Sequence, residues 1–371
     1  MRIIHVIPNL KKGGAERLVL NIVQELSKLP NIDVVLVTFS DQNDYPFLSK
    51  SITWKVIPSK FLPSLKSKGT IDVENLQNFI DDFNPDIVHS HLFESEIVLT
   101  KINFSAKVKR VFHFHDKMRQ FRKFTWKTIV KKQLFTEYYE RRLALSSYCK
   151  GSYAICVSED VLEFALNVLP KKNEKELLYN AIDLKRFTPS ILSYEESIEI
   201  TTIGSLVDNK AQELAIETIY VLKKRGENVI LNILGDGPNM ELLKACAHKL
   251  NVEDNIVFHG KQDFPESFLK KSFIYLHTAK SESFGLVLIE AMACGLPIVT
   301  ADAFGNRSLI KEGENGFMIW ERDAGLIADK IQFLIKNELV RNKMGESAIE
   351  FASNFGLESY VAKLVSVYQI S

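Results

Sequence analysis

Cysteine is scarce. The chain has four (Cys149, Cys156, Cys246 and Cys294) and no Cys-x-x-Cys pair. That excludes a disulfide-stapled scaffold and a thiolate zinc finger, and fits buried thiols in a reducing compartment. No apolar span reaches 18 residues, so no membrane-crossing helix is expected. The opening run Met1-Arg2-Ile3-Ile4-His5-Val6-Ile7-Pro8 is too short for a signal-peptide core and reads as a buried first strand. No tandem repeat or low-complexity tract is present, which excludes solenoids and propellers. The run Gly235-Asp236-Gly237 starts like a dinucleotide fingerprint but lacks the third glycine and is followed by Pro238, so a nicotinamide site is rejected. No cluster of His, Cys, Asp or Glu has metal-ligand spacing along the chain.

What is present is a globular composition, 46% hydrophobic and 25% charged, in a chain of 371 residues. That length exceeds one ordinary core and predicts two domains. The net charge of +1 hides an asymmetry: residues 1–174 carry +7 and the remainder −6. Most of the basic excess lies between Lys107 and Lys132, where ten Lys and Arg face one Asp. Within it, residues 117–132 mix cations with Phe121, Phe124, Trp126 and Ile129. A basic amphipathic helix of this kind suits an anionic membrane surface or a lipid-diphosphate acceptor. No nucleic-acid motif accompanies the charge.

Short apolar runs alternate with amphipathic helical patterns in both halves. Strands are expected at Arg2–Ile7, Asp33–Phe39, Asp86–Ser90, Lys109–His113 and Ser152–Val157. A second set is expected at Ile198–Gly204, Val229–Leu234, Asn255–Phe258, Phe273–His277 and Pro297–Thr300. Continuous apolar strands separated by helices predict two doubly wound parallel sheets, with ligands at the C-terminal strand ends. The polar break at 170–175 places the boundary after residue 174. The final segment, residues 356–371, carries Tyr360, Leu364 and Val367 on one stripe and is expected to pack back on the first domain.

The densest chemistry lies in Ser281–Pro297. Glu282 and Glu290 bracket a glycine turn that feeds an apolar helix ended by Gly295-Leu296-Pro297. A helix N-terminus favours an anion, and carboxylates accept hydrogen bonds from hydroxyls. The pair therefore suits a ligand bearing phosphates and a diol, and Glu290 suits a vicinal diol. Lys210, just after a strand, can balance a departing diphosphate. Gly13 and Gly14 after the first strand permit close backbone approach to a ligand. In the run Val111–Asp116, alternation turns His113 and His115 to one face, with His115 at the strand end. His5, His89, His91 and His259 read as packing or loop residues.

These motifs, in their order and spacing, resemble the retaining group 1, family four glycosyltransferases of GT-B fold. The resemblance covers nearly the whole chain. It rests on Gly13-Gly14-Ala15-Glu16, the hinge-like Tyr179–Phe187, Gly204-Ser205-Leu206-Val207-Asp208-Asn209-Lys210, Leu234–Pro238 and the Glu282/Glu290 pair. It implies an N-terminal acceptor-binding domain (1–174 with 356–371) and a C-terminal donor-binding domain (175–355). It further implies that Glu290 holds the nucleotide ribose and that Glu282 faces the donor sugar. Lys210 and Ser205 meet the diphosphate, and His115 touches the sugar and assists the reaction. Donor contacts are expected from Gly13, Gly14, Gly204, Gly260, Lys261, Ser283, Phe284, Gly285 and Leu286. Acceptor contacts are expected from Glu16, His91, Arg119 and Arg122. No cofactor or metal ion is implied.

One departure stands out. The family has an arginine where this chain has Ser205, so a neutral donor replaces a bidentate cation; Arg307 is a candidate substitute. The activity implied is transfer of a hexose or N-acetylhexosamine from a nucleotide diphosphate sugar, UDP-sugar favoured, to a hydroxyl of a lipid-linked or oligosaccharide acceptor. The setting would be surface-polysaccharide synthesis at the cytoplasmic membrane face. A nucleotide-sugar epimerase and a noncatalytic partner subunit of the same fold are the alternatives. A sucrose- or glycogen-type synthase fits the compact, basic first domain less well.

Overall fold

The computed structural model describes residues 1–11, 13–59, 72–117, 141, 145, 153–189 and 198–370. Most of the basic segment, with Arg119 and Arg122, and also Cys149, lies outside the described residues. The chain divides into two compact units. One is Met1–Asn180 with Leu357–Ser371, and the other is Ala181–Gly356.

The first unit is built on seven parallel strands: β1 Arg2–Ile7, β2 Asp33–Thr38, β3 Trp54–Val56, β4 Ile87–His91, β5 Lys109–Phe114, β6 Tyr153–Cys156 and β7 Glu174–Leu177. They lie in the order β3-β2-β1-β4-β5-β6-β7. Its described helices are α1 Gly14–Leu26, α2 Pro46–Ser49, α3 Glu74–Phe83, α4 Leu92–Leu99, α5 Glu159–Val168 and, from the chain end, α12 Leu357–Gln369. The central strands are buried on both faces, as a doubly covered parallel sheet requires. One side packs Ile4, Val35, Val88, Leu76 and Ile80 into a common core. Ser158 caps α5 by accepting from the Val161 N–H, with Glu159 and Asp160 following in the first turn. The helix α12 packs along α1, and Lys109 fixes its end by donating to the carbonyls of Val367 and Ile370.

The second unit holds β8 Ile198–Ile203, β9 Val229–Leu234, β10 Ile256–Gly260, β11 Ile274–His277, β12 Ile298–Ala301 and β13 Gly316–Ile319. Its strand order is β10-β9-β8-β11-β12-β13, all parallel. Renumbered within the unit this is 3-2-1-4-5-6, the mononucleotide-fold order, which reverses between β8 and β11. Its described helices are α6 Gln212–Lys224, α7 Met240–Lys249, α8 Glu266–Leu269, α9 Leu286–Ala293, α10 Ala324–Lys336 and α11 Glu338–Ala352. Ile200, Leu231, Leu276, Val299 and Ile331 lie at the centre of its core. The unit closes on itself where Ile182 donates its N–H to the Phe355 carbonyl, bringing its two ends together.

Two parallel-sheet α/β units are the expected fold class. The boundary moves from 174/175 to 180/181, because Glu174–Leu177 adds to the first sheet through its register with β6. The new division falls inside the hinge-like segment 179–187.

Candidate functional site

In the second unit, the two strands that flank the reversal of strand order send out the loops 204–210 and 278–285. These loops are laced together. Asn209 Nδ2 donates to the Ser281 carbonyl at 2.9 Å, the Lys280 N–H to the Asn209 carbonyl at 2.7 Å, and Thr278 Oγ1 to the Lys210 carbonyl at 3.1 Å. Across the seam Lys210 Nζ donates to Glu282 Oε2 at 2.5 Å. His277 Nε2 stands 3.5 Å from the same oxygen. Burial pushes the Glu282 carboxyl up, but the His277 and Lys210 beside it outweigh burial and hold it down at about 2. Glu282 is thus a fixed anion with its cation in place. Sequence reasoning missed His277; the only signal was a histidine ending a strand five residues before Glu282.

The backbone of Glu282 is fixed from the loop after β12. Its N–H donates to the Ala303 carbonyl, and its carbonyl accepts from the Gly305 N–H. A Cβ at Gly305 would lie 2.1 Å from that carbonyl oxygen, so only glycine fits. Beside it, Phe304 adopts a left-handed φ of +60° and is 54% exposed, a strained conformation for an aromatic residue.

Glu290 lies buried inside α9, eight residues on. The helix begins after Gly285, whose φ of +94° only glycine adopts readily. The first N–H groups of α9 have no partner within the helix and carry its positive dipole end. The Phe284 side chain is buried against Phe355, which leaves its backbone N–H, the group expected to face a donor.

Ser205 is exposed at the start of the 204–210 loop. This loop rests on the next: the Gly204 N–H donates to the Leu234 carbonyl, and the Leu206 N–H to the Asp236 carbonyl. A Cβ on Gly235 would come within 1.9 Å of the Gly204 oxygen. The two glycines that mimic a dinucleotide fingerprint therefore serve loop packing. Arg307, the candidate substitute for the missing arginine, is bidentate to Asp302 at 2.8 and 2.6 Å. Gly260 turns with φ +65° at the end of β10 and accepts from the Gly235 N–H, and Lys261 is exposed beside it.

In the first unit, Gly13 precedes α1. Its N–H donates to the Tyr45 hydroxyl at 3.0 Å, and its carbonyl accepts from the same hydroxyl at 2.8 Å. Glu16 folds back over Gly13, where any Cβ would meet its carboxylate. Burial pushes the Glu16 carboxyl up, opposed by a bond to its own N–H. Both residues, expected to meet ligands, are thus partly committed to shaping the turn.

The larger correction concerns histidine. Spacing along the chain shows no cluster, yet the sheet assembles five. His5 pairs in register with His89, and His91 with His113. Residues paired in a parallel sheet share a face, and alternate residues of a strand do too. Hence His5, His89, His91, His113 and His115 line one face of β1, β4 and β5. Their rings crowd together: centroids are 4.3 Å apart for the stacked pair His89 and His91, 4.2 Å for the stacked pair His113 and His115, and 4.7 Å for His5 and His89, which are tilted by 40°. Tyr368 of α12 reaches onto the same face. A continuous chain of contacts runs from His89 Nδ1 to the Tyr368 hydroxyl (2.6 Å), then to His5 Nε2 (3.2 Å). It continues from His5 Nδ1 to His91 Nε2 (2.9 Å) and from His91 Nδ1 to His115 Nε2 (3.1 Å). Two concerted proton arrangements satisfy it: one leaves His115 Nδ1 a lone pair, the other a proton. Burial lowers His5 and His115 to about 3 and the other three well below the usual range, so all five rings are neutral near pH 7. His115 ends the chain half-buried, whereas His91, expected to meet an acceptor, is wholly buried.

No helix among the described residues is long and apolar enough to cross a membrane.

Comparison with known proteins gives a consistent picture. The family model for Glycosyltransferase Family 4 matches residues 12–186, and that for Glycosyl transferases group 1 matches residues 185–351. N-acetyl-alpha-D-glucosaminyl L-malate synthase of Bacillus anthracis is 35% identical over 139 residues, 37% of this chain and 36% of that protein. The chain thus spans little more than a third of that curated relative's length. An uncharacterised glycosyltransferase of Methanocaldococcus jannaschii is 24% identical over 300 residues, 79% of this chain and 78% of that protein. Among solved structures, HepE of Anabaena in complex with UDP superposes with a TM-score of 0.80 at 18% identity, covering 99% of each chain. That likeness is one of fold. With two matched segments that together run from residue 12 to residue 351, and the strand order of both sheets, the chain belongs to the group 1, family 4 glycosyltransferases of GT-B fold.

Proposed function

We propose that the protein is a retaining glycosyltransferase. It moves a hexose or N-acetylhexosamine from a nucleotide diphosphate sugar to a hydroxyl of a lipid-linked or oligosaccharide acceptor in surface-polysaccharide synthesis. The observation that carries this reading is the Lys210–Glu282 pair beside the N-terminus of α9, at the strand ends where the second sheet reverses. A UDP-sugar is the favoured donor, supported by the HepE complex with UDP. Transfer of a sugar is supported by the Bacillus anthracis relative, whose name describes an N-acetylglucosaminyl product.

In this reading the second unit takes the donor. Glu290 accepts from the ribose diol, Glu282 faces the sugar, and Ser205, Lys210 and the backbone at Gly204, Gly260, Lys261 and 283–286 surround the diphosphate and base. The first unit takes the acceptor, with Glu16, Gly13, Gly14 and His115 as its candidate contacts, and the wholly buried His91 positions His115 through their 3.1 Å contact. The Lys210 ammonium and the helix dipole oppose the charge that grows on the leaving group. The acceptor oxygen bonds to the anomeric carbon on the face the diphosphate leaves, the carbon–phosphate-oxygen bond breaks, and the acceptor proton passes to the departing phosphate oxygen. The basic segment that follows Lys117 would hold the enzyme peripherally on an anionic membrane face.

The test is thermal stabilisation by UDP, GDP and their sugars, with wild type beside Glu290→Ala and Lys210→Ala. One nucleotide is expected to raise the melting temperature of the wild type and neither variant. No shift with any nucleotide at millimolar concentration would sink the donor-site reading and favour a noncatalytic role, which the exposed serine at position 205 makes the natural rival.

A further inference from the structure

The histidine face holds more than the proposed transfer uses. Two sets of three rings bring one nitrogen each within 4.8 Å of one another: His5 with His89 and His91, and His91 with His113 and His115. The inner set is largely occupied by its own hydrogen bonds, through Tyr368 and the His5–His91 contact. The outer set is not. His113 is wholly buried, and among the described residues neither of its ring nitrogens has a hydrogen-bond partner. A neutral imidazole so placed leaves one buried donor and one buried acceptor unsatisfied, which a ligand would relieve. The half-buried His115 gives the outer set a route to solvent that the inner set lacks.

We propose that His91, His113 and His115 form a binding site for a divalent transition-metal ion of the zinc type. Imidazole nitrogens suit that class of ion, and three of them leave a fourth position open. Two nitrogens on a tetrahedral zinc ion stand about 3.3 Å apart at the usual bond length of about 2.0–2.1 Å. The facing pair, His91 Nδ1 and His115 Nε2, already stands at 3.1 Å. The His113 nitrogen lies within 4.8 Å of both, so these separations have to close by about 1.5 Å at most.

The surrounding bonds fit as well. A ligating histidine ordinarily donates its other N–H to a fixed acceptor. With the ion on Nδ1, His91 carries its proton on Nε2 and donates it to His5 Nδ1. His5 then donates from Nε2 to the Tyr368 oxygen, and the Tyr368 hydroxyl donates to His89 Nδ1. Every contact of the chain keeps one proton, and the ion takes the place of the one shared by His91 and His115. Each imidazole remains neutral, so no net proton is released. Burial, which keeps these rings neutral, keeps them in their ligating form.

The experiment uses the full chain without an affinity tag, stripped with a chelator and titrated with cobalt(II). The expected result is the intense visible absorption of low-coordinate cobalt, saturating at one equivalent and abolished by zinc. It should vanish in His113→Phe, which keeps a stacked ring and removes both nitrogens, and persist in His248→Ala, whose exposed imidazole pairs with Glu253. Circular dichroism reports whether His113→Phe folds; if it does not, His115→Asn takes its place, because that ring is half-exposed at a strand end. No band at micromolar metal overturns the proposal. So does a band that survives loss of the His113 or His115 nitrogens, including one lost only in His5→Phe, which would place the ion in the inner set.

Discussion

Lys210 and Glu282 show what one pair of residues decides. Replacing Lys210 by Ala leaves a largely buried carboxylate without its cation. We expect a loss of about 1–3 kcal/mol in urea unfolding and a fall in kcat of about 10²–10³-fold. Adding Glu282→Gln to that variant should restore stability and not activity. The same pair sets an acid limit. The Glu282 carboxyl titrates at about 2 in the folded protein and near 4.5 when unfolded, so the unfolded chain takes up the proton first as pH falls. Its contribution, about 3 kcal/mol, is complete above pH 4.5 and is lost between there and pH 2. Chemical denaturation across that range should show this slope in wild type and lack it in Glu282→Gln. Ser205 offers the converse test. It is exposed and leaves room for a longer side chain, so Ser205→Arg should lower the donor KM about tenfold through charge-assisted bonds to the diphosphate. An unchanged KM would show that the loop carries no phosphate.

Elements hold these residues through close backbone packing. The loop after β8 lies on the loop after β9 because Gly235 has no side chain and a φ of +147°. Gly235→Ala forces a Cβ into the Gly204 carbonyl, and we expect a loss of at least about 2 kcal/mol, with weaker nucleotide binding as the 204–210 loop lifts. Thermal melts with and without nucleotide measure both. Sequence patterning revealed the elements unevenly, for physical reasons. Strands buried on both faces, such as Val229–Leu234, announce themselves as apolar runs. β7 reads Glu-Lys-Glu-Leu because an edge strand tolerates and benefits from charge. β3 is three residues long, half-exposed and also at an edge. β13 is short and follows a tight glycine turn. Period-two alternation reports burial on one face and is silent for all three.

At the scale of the whole molecule, the chain end completes a unit it does not follow in sequence. α12 belongs to the first unit, packs on α1 and delivers Tyr368 to the histidine face. Removing residues 357–371 should therefore unfold the first unit or lower its stability by more than about 3 kcal/mol, since a whole apolar helix face is lost. The second unit, complete from Ala181 to Gly356, should keep its nucleotide-induced stabilisation. Limited proteolysis followed by mass analysis separates the outcomes: cleavage confined to the first unit is expected, and uniform digestion would show that the units depend on each other.

The two α/β units, the helix behind Gly285 and the site residues Glu282, Glu290 and Lys210 are legible in the amino-acid sequence. Those features are local, written in apolar periodicity, glycine turns and spacings of a few residues. Tertiary structure alone decided which loops meet. His277 joins Glu282 because two loops are laced across the reversal of the sheet. Arg307 pairs with Asp302, and Phe284 turns into the core. Five histidines from three strands, with a tyrosine 363 residues along the chain from the first of them, become one cluster only because β1, β4 and β5 lie side by side. Strand order is a property of the folded chain, fixed by long-range packing, and no spacing between neighbouring residues encodes it.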